Sequence, residues 1–332
     1  MRICKLAAGS SRIMTIERDA FEAATRRMRP WHKKVESGEE DENRKNVDVR
    51  RTGRQREEKG TLQFAVCPSC ENPIQIIGLY DEMPHTDRPY GRHTGKAVEG
   101  FPNYDAEAYE WCPLVRGNRN YGKNSRKRKL EGLPFEILKL VRREFDRIAY
   151  VIEKETGVKI SAGSARRMLD SFLSERGHLY VGATYRNVPW MVAYMSDSQS
   201  LYMQRIADNP ELVAAVRDRV PDANMNEYGR LVKGRRYYGV HMCFIHHKQM
   251  VEDGDLRETM KFVVSDDARN SVYEKLLEFD FGFFERLVNL PPSRSWRNRE
   301  LLDVADEVFS DYAATLGFEM AKNGLEQLGP VP

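Results

Sequence analysis

The chain has no apolar run long enough to cross a bilayer. Its 332 residues contain no stretch close to the roughly 18 consecutive apolar residues that a membrane helix needs. Lys5 and Arg12 also interrupt the N-terminus, where a signal peptide would require a continuous apolar segment. We therefore expect a cytoplasmic protein that does not contact membranes.

Familiar catalytic signatures are absent as well. The sequence has no G-x-x-x-x-G-K-[ST] loop, no G-x-G-x-x-G after a strand, no G-x-S-x-G and no H-E-x-x-H. Each of these patterns places a phosphate, a nucleophile or a metal through its spacing. Their absence favours a non-enzymatic function, and no catalytic residue is assigned.

Cysteine is scarce, with five residues in the whole chain. Cys67, Cys70 and Cys112 fall in one short window, which fits metal ligands in a reducing compartment better than a disulfide framework. Cys4 and Cys243 are expected to be free thiols.

A Cys-Pro-Ser-Cys turn at 67–70 is the most informative feature that is present. Strand-like runs at 62–66 and 74–77 enter and leave it, as they do when a zinc knuckle forms the tip of a hairpin. Cys112 and one histidine would complete a tetrahedral Zn²⁺ site. We prefer His93 for its loop context, with His85 as the alternative; incidental buried cysteines remain the other interpretation.

The segment that begins with this turn resembles the zinc-ribbon class over about 50 residues. The second knuckle departs from that class, because a single Trp-Cys-Pro stands at 111–113 in place of a second C-x-x-C. Four protein ligands would leave no open position for substrate. We therefore expect a structural zinc.

A basic run without acidic residues follows this module. It can neutralise phosphates, and its tyrosine can stack on an unpaired base, which predicts contact with DNA or RNA. The alternative is a solvated basic linker. The candidate contact residues are Arg119, Tyr121, Lys123, Arg126, Lys127, Arg128 and Lys129.

A histidine-rich segment at 237–247 is the other part of the chain whose side chains could bind a metal or take part in catalysis. Strand alternation would place His241, Cys243 and His247 on one face and His246 on the opposite face. We interpret the segment as a half-buried strand. The alternative is a metal-dependent nuclease or phosphodiesterase that combines these histidines with acidic residues from 252–267.

The chain is predicted to have an α+β fold, in which a small zinc-ribbon-like module precedes a larger domain of helices and antiparallel sheet. Residues 1–60 are expected to form an N-terminal helix at 15–29 and a charged flexible linker, 61–115 the zinc module, 116–132 a basic connector and 133–332 the α+β domain. Within the last domain, hydrophobic spacing predicts helices at 134–155, 164–176, 198–208, 211–219, through 272–277 and from 301 to 316. Two hairpins are also predicted, one pairing 179–184 with 190–195 and the other pairing 236–247 with 259–265.

These features predict a zinc-containing nucleic-acid-binding protein, an accessory subunit of a bacterial or mobile-element nucleoprotein system. The nuclease is the first alternative. A second alternative is a scaffold subunit that binds protein partners and makes no nucleic-acid contact. Its docking elements would be the N-terminal helix and the aromatic patch at 279–284.

Overall fold

The computed structural model confirms an α+β fold of helices and antiparallel sheets. By their internal contacts the residues divide into two compact units, one of 1–67 with 71–104 and the other of 68–70 with 105–332. No helix in the described part of the chain combines the length and apolar character that a bilayer crossing requires. The described residues are 1–7, 9–10, 12–26, 62–80, 83–84, 88–101, 104–115, 121–220, 223–235, 238–252, 255–291, 293 and 296–316.

The described residues of the first unit form a three-stranded antiparallel sheet, a short two-stranded sheet and one helix. Its elements are β1 (Ile3–Cys4), β2 (Met14–Thr15), α1 (Arg18–Thr25), β3 (Gln63–Val66), β4 (Pro73–Ile77) and β5 (Tyr90–His93). The strand order is β3-β4-β5, and β1 pairs with β2. The helix predicted at 15–29 starts later, because Thr15 is paired with Ile3.

The N-terminal segment is bound to this sheet. Lys5 and Val66 exchange backbone hydrogen bonds at 2.8 Å, and Gly91 N donates to Met1 O at 2.9 Å. The buried Lys5 ammonium also pairs with the carboxylate of Glu71. Residues 1–5 therefore support the hairpin that carries the Cys67–Cys70 turn.

The helices of the second unit are α2 (Ala106–Glu110), α3 (Leu133–Thr156), α4 (Ala162–Ser174), α5 (Val188–Met195), α6 (Pro210–Arg219), α7 (Phe281–Val288) and α8 (Arg299–Leu316), with a 3₁₀ helix at Gly177–Leu179. α3 forms where the apolar spacing predicts it. Pro134 sits in its first turn, and Gly157, in the left-handed conformation at φ 69°, ends it. The predicted helices at 164–176, 211–219 and 301–316 correspond to α4, α6 and α8.

The strands of the second unit are β6 (Gln199–Ser200), β7 (Asn224–Met225), β8 (Leu231–Val232), β9 (Val240–Glu252), β10 (Asp255–Asp266) and β11 (Ser271–Glu278). The main sheet has the order β11-β10-β9-β6, with every pair antiparallel. The long hairpin of β9 and β10 confirms the predicted strand pair, and Glu252 lies opposite Asp255 next to its turn.

Four predicted elements were wrong. The strand at 179–184 is the end of the 3₁₀ helix, a single β-bridge from Tyr180 to Arg126 and irregular backbone, so the hairpin predicted with 190–195 does not form. The strand at 190–195 is helix α5, whose eight residues are all buried, so its uniformly apolar sequence carries no period that separates helix from strand. The helix through 272–277 is strand β11, in which Leu277 is buried and Leu276 is exposed. The stretch 198–208 contains β6 and turns in place of a helix.

The core of the second unit lies between the helices and one face of the main sheet. α5 packs against β9, while α3 and α4 pack against α5 and α8. Phe279, Phe281 and Phe284 are buried in this core, and the Phe279 ring stacks on Trp190 with 4.6 Å between ring centroids. These three rings therefore stabilise the fold and are not exposed for docking, contrary to the scaffold interpretation.

Candidate metal centre

The turn that carries Cys67 and Cys70 is a tight connection between β3 and β4. Cys67 N donates to Asn72 O at 2.9 Å, and Glu71 N donates to Cys67 O at 3.0 Å. Glu71 adopts φ 61°, a left-handed conformation that is uncommon outside glycine and that reverses the chain here. The ion pair of Glu71 with Lys5 and a hydrogen bond from Gly9 N at 2.7 Å hold this residue in place. The turn thus presents both thiols from a fixed backbone.

His93 and Cys112 are positioned by the ends of two other elements. His93 is the last residue of β5, where it pairs with Ile74 of β4. Cys112 follows α2, a helix capped by Asp105, whose Oδ1 accepts a hydrogen bond from Ala108 N at 2.9 Å. Cys112 N in turn donates to Tyr109 O at 3.2 Å.

These elements bring four ligand atoms together. The thiols of Cys67, Cys70 and Cys112 and a ring nitrogen of His93 all lie within 4.8 Å of one another, and the three cysteines are buried and free of disulfides. No other set of three or more potential ligands is found among the described residues. His85, the alternative ligand, lies outside the described part of the chain.

The geometry of the group fits a tetrahedral ion. Zn–S bonds of about 2.3 Å place the ligand atoms of a tetrahedral site about 3.8 Å apart. A group already within 4.8 Å can reach that arrangement through side-chain shifts of less than about 1 Å per ligand. Three sulfurs and one imidazole, with no carboxylate, form a soft to borderline donor set that binds Zn²⁺ well.

Cys4 lies in the same unit as Cys67 but does not belong to the ligand group. Burial, with a smaller contribution from Cys67, raises the pKa of its thiol to about 12. Cys4 is therefore a protonated core residue. Cys243 is half-buried on β9, where it pairs across the sheet with Val263.

The basic segment divides into exposed and inward-facing side chains. Lys123, Arg128 and Lys129 are exposed. Tyr121 is half-buried, and its ring packs edge-on against Trp111 with 5.8 Å between centroids. Arg119 lies outside the described residues.

Arg126 and Lys127 point inward because their backbone pairs with residues 179–181. Lys127 N donates to Leu179 O at 2.7 Å, and Arg126 Nε donates to Glu175 O at 2.8 Å. Lys127 is 5% exposed, and its Nζ donates to Ala183 O at 3.3 Å. Burial lowers its pKa to about 8, an effect opposed by Asp105, Cys70, Glu107 and Cys112. In this conformation Lys127 cannot reach a phosphate, which corrects its assignment as a nucleic-acid contact.

A β-bulge changes the predicted faces of the histidine strand. His246 adopts φ 58°, and the pairing of β9 with β10 slips at this point, from Lys248 opposite Thr259 to Ile245 opposite Lys261. The extra residue turns His247 onto the core face, whereas strict alternation predicted it beside His241 and Cys243.

His247 forms a buried polar network with Glu258 of β10. Its Nε2 lies 2.8 Å from Glu258 Oε2, its Nδ1 lies 3.2 Å from Tyr180 Oη, and the two paired side chains are 1% and 0% exposed. Asn187 Nδ2 also donates to Glu258 Oε2 at 2.8 Å. Both ring nitrogens of His247 are thus occupied, and His241 pairs separately with Asp267 at 3.0 Å. The two histidines are therefore not arranged as joint ligands of one metal ion.

The fold and this group define an α+β protein with a potential Cys₃His metal centre. Neither a protein-family model, nor a curated protein, nor a solved structure matches the chain. Sequence reasoning named the four residues of this group, whereas it missed the Lys5–Glu71 and His247–Glu258 pairs. One signal for the second pair was present, because His247 and Glu258 lie on the two strands of a hairpin that was itself predicted.

Proposed function

We propose that Cys67, Cys70, His93 and Cys112 bind one Zn²⁺ that stabilises the fold. The observation that carries this proposal is the convergence of the four ligand atoms within 4.8 Å, with all three thiols buried. Four protein ligands fill a tetrahedral shell, so the ion would have no position for substrate. Its contribution is then folding free energy, because the unfolded chain lacks a preformed site.

Metal analysis of the purified chain tests this proposal. We expect about one zinc per chain, as a closed tetrahedral site requires. Replacement by Co²⁺ should give the visible d–d bands of a tetrahedral ion and a thiolate charge-transfer band in the near ultraviolet. Cys112→Ser should lose the metal and unfold at a lower temperature. Cys243→Ser, a matched control outside the group, should keep both the metal and the stability of the native chain. A native chain without metal, or full metal content in Cys112→Ser, would refute the proposal.

We further propose that the exposed part of the basic segment binds the phosphates of a nucleic acid. Lys123, Arg128 and Lys129 support this, because they are exposed within one stretch of seven residues that contains no acidic side chain. Arg126 and Lys127 are excluded from the contact set by their inward orientation. The chain would then act as a zinc-stabilised nucleic-acid-binding protein, consistent with an accessory role in a nucleoprotein complex.

Salt-dependent binding tests this second proposal. Labelled single- and double-stranded DNA and RNA are titrated with the native chain at two salt concentrations. A Lys123→Ala/Arg128→Ala/Lys129→Ala variant should bind more weakly and with a salt slope smaller by about 2–3, because each lost phosphate contact removes about 0.7–0.9 from the slope. Arg205→Ala/Arg217→Ala, which changes exposed arginines elsewhere in the second unit, serves as the control. An unchanged slope in the triple variant would exclude this surface.

The structural observations support the two alternative functions less well than they support nucleic-acid binding. A metal-dependent nuclease would need a metal held by His241 or His247, yet each histidine is paired with its own carboxylate. A scaffold subunit would need an exposed aromatic patch at 279–284, yet three of its four rings are buried. Metal-stimulated cleavage of DNA or RNA by the native chain would restore the nuclease hypothesis.

A further inference from the structure

Trp296 is the most exposed of the large hydrophobic side chains in the described part of the chain, with 67% of its surface open to solvent. It stands just before α8, whereas Trp111 and Trp190 are half-buried and buried. A single exposed apolar side chain is ordinary on a protein surface. Its meaning therefore depends on what holds it there and on the charge beside it.

The backbone that follows Trp296 is fixed by Asp146, a carboxylate of α3 that is 0% exposed. Asp146 accepts from the Nε and Nη2 atoms of Arg297, each at 2.9 Å, and its Oδ2 also accepts from Asn298 N at 2.9 Å. Asn298 then caps α8, because its Oδ1 accepts from Leu301 N at 3.3 Å. Trp296 is therefore joined to a rigid base, and a partner would not have to order the residues that follow it.

Helix α3 departs from helical geometry where it receives Arg297. Glu144, in the middle of this helix, has φ −117° and ψ 21°, and Arg297 Nη2 donates to the carbonyl of the preceding residue, Arg143. The Glu144 carboxylate pairs there with Arg143 at 2.8 Å and with Arg147 at 2.7 Å. Buried charges cost free energy unless they are paired this closely, so the fold commits a complete ionic network to the segment at 296–298.

The side of this ionic network that faces solvent is positive. Its members are the guanidinium groups of Arg143, Arg147 and Arg297 and the carboxylates of Glu144 and Asp146, which leave one net positive charge. The two carboxylates are 5% and 0% exposed, whereas Arg143 and Arg297 are 50% and 23% exposed. Solvent therefore meets the guanidinium groups of the network and not its carboxylates.

We propose that Trp296 is a stacking platform for an unpaired nucleic-acid base, with the guanidinium of Arg143 attracting the phosphate backbone of the same strand. This inference rests on the proposed nucleic-acid-binding function and adds a second contact surface to that of the basic segment. The face of an aromatic ring accepts any base, and a neighbouring cation attracts phosphates, which is how proteins bind single strands without reading their sequence. The surface thus favours unpaired strands over a duplex, whose bases are already stacked on one another.

Affinity for a single-stranded oligonucleotide tests the role of the ring. Labelled oligo(dT) and a duplex of the same length are titrated with the native chain, with Trp296→Leu and with Trp296→Phe. Leucine keeps an apolar side chain but removes the ring, whereas phenylalanine keeps a ring. We expect Trp296→Leu to bind oligo(dT) about 5- to 150-fold more weakly, with the native salt slope because no phosphate contact is lost. Trp296→Phe should retain most of the native affinity, and neither variant should change duplex binding.

A second measurement follows the indole itself. Acrylamide quenching of tryptophan fluorescence is recorded with and without oligo(dT) for the native chain and for Trp296→Phe, and the difference between the two isolates Trp296. Bound oligo(dT) should quench this component and shield it from acrylamide.

The possible results separate this inference from the proposed function. Native oligo(dT) affinity in Trp296→Leu, or a Trp296 signal that oligo(dT) leaves unchanged, would overturn the inference while salt-dependent binding by the basic segment still stands. A changed oligomeric state of Trp296→Leu in analytical ultracentrifugation would overturn it in favour of a contact between copies of the chain. A native chain that binds no nucleic acid would refute the proposed nucleic-acid-binding function, and this inference with it.

Discussion

The buried His247–Glu258 pair supports the sharpest prediction about stability. The two side chains are 1% and 0% exposed and lie 2.8 Å apart, and Asn187 Nδ2 shares the same carboxylate oxygen at 2.8 Å. Glu258→Leu removes the acceptor and leaves the imidazole without its partner in the core. Breaking one side of a buried pair costs about 3–5 kcal/mol, so we expect a loss of that size in the free energy of unfolding.

The assay is denaturant unfolding followed by circular dichroism, with a double-mutant cycle. Replacing both partners by apolar residues, in His247→Leu/Glu258→Leu, removes the orphaned polar group and should recover part of the loss. Asp267→Asn is the control, because the His241–Asp267 pair also joins a histidine to a carboxylate but is 32% and 60% exposed. The control should change stability by less than about 1 kcal/mol.

Two results would refute this reasoning. If Glu258→Leu costs no more than Asp267→Asn, burial does not set the strength of the pair. If the double variant loses the sum of the two single losses, the residues are not coupled. Agreement with both expectations would instead assign the histidine strand a structural role.

Two further predictions concern a buried histidine and a helix end. Burial, with smaller contributions from Arg176 and Arg126, lowers the pKa of His178 to about 3, so the folded chain keeps this ring neutral while the unfolded chain binds a proton below about pH 6.5. Stability should therefore decrease as the pH is lowered from about 6.5 to about 3. His178→Phe should reduce this loss in unfolding curves recorded across the same range. Gly157→Ala should cost about 2 kcal/mol or more in denaturant unfolding, because φ is 69° and the new Cβ would lie 2.6 Å from Asn209 Cβ. Gly163→Ala, where the nearest atom would be 3.7 Å away, should be neutral or stabilising, and an equal loss in both variants would contradict the steric argument.

The metal group was predictable because its signal is local. Two thiols separated by two residues at the tip of a hairpin already define half of a tetrahedral site. Strand-like runs flank this turn, and Cys112 with either His93 or His85 were the remaining candidates of matching chemistry. The structure brings His93 into the group. What the sequence could not supply was the support of the turn, since the Lys5–Glu71 pair joins residues 66 positions apart.

The errors have a common physical cause, because each depends on tertiary burial. Helix α5 is enclosed on all sides, so its apolar residues show no helical period. Strand β11 was predicted to be a helix because the apolar pattern places both Leu276 and Leu277 in the core. Only Leu277 is in the core. One bulge at His246 was enough to invert the faces of the strand beyond it, because side chains alternate with a period of two.

The basic segment shows why a count of charges does not define a surface. Its cations are adjacent in sequence, but backbone pairing with 179–181 sends neighbouring side chains to opposite sides of the chain. Lys127 therefore enters the interior while Arg128 remains in solvent. Of this adjacent pair, only Arg128 is placed where it can meet a polyanion.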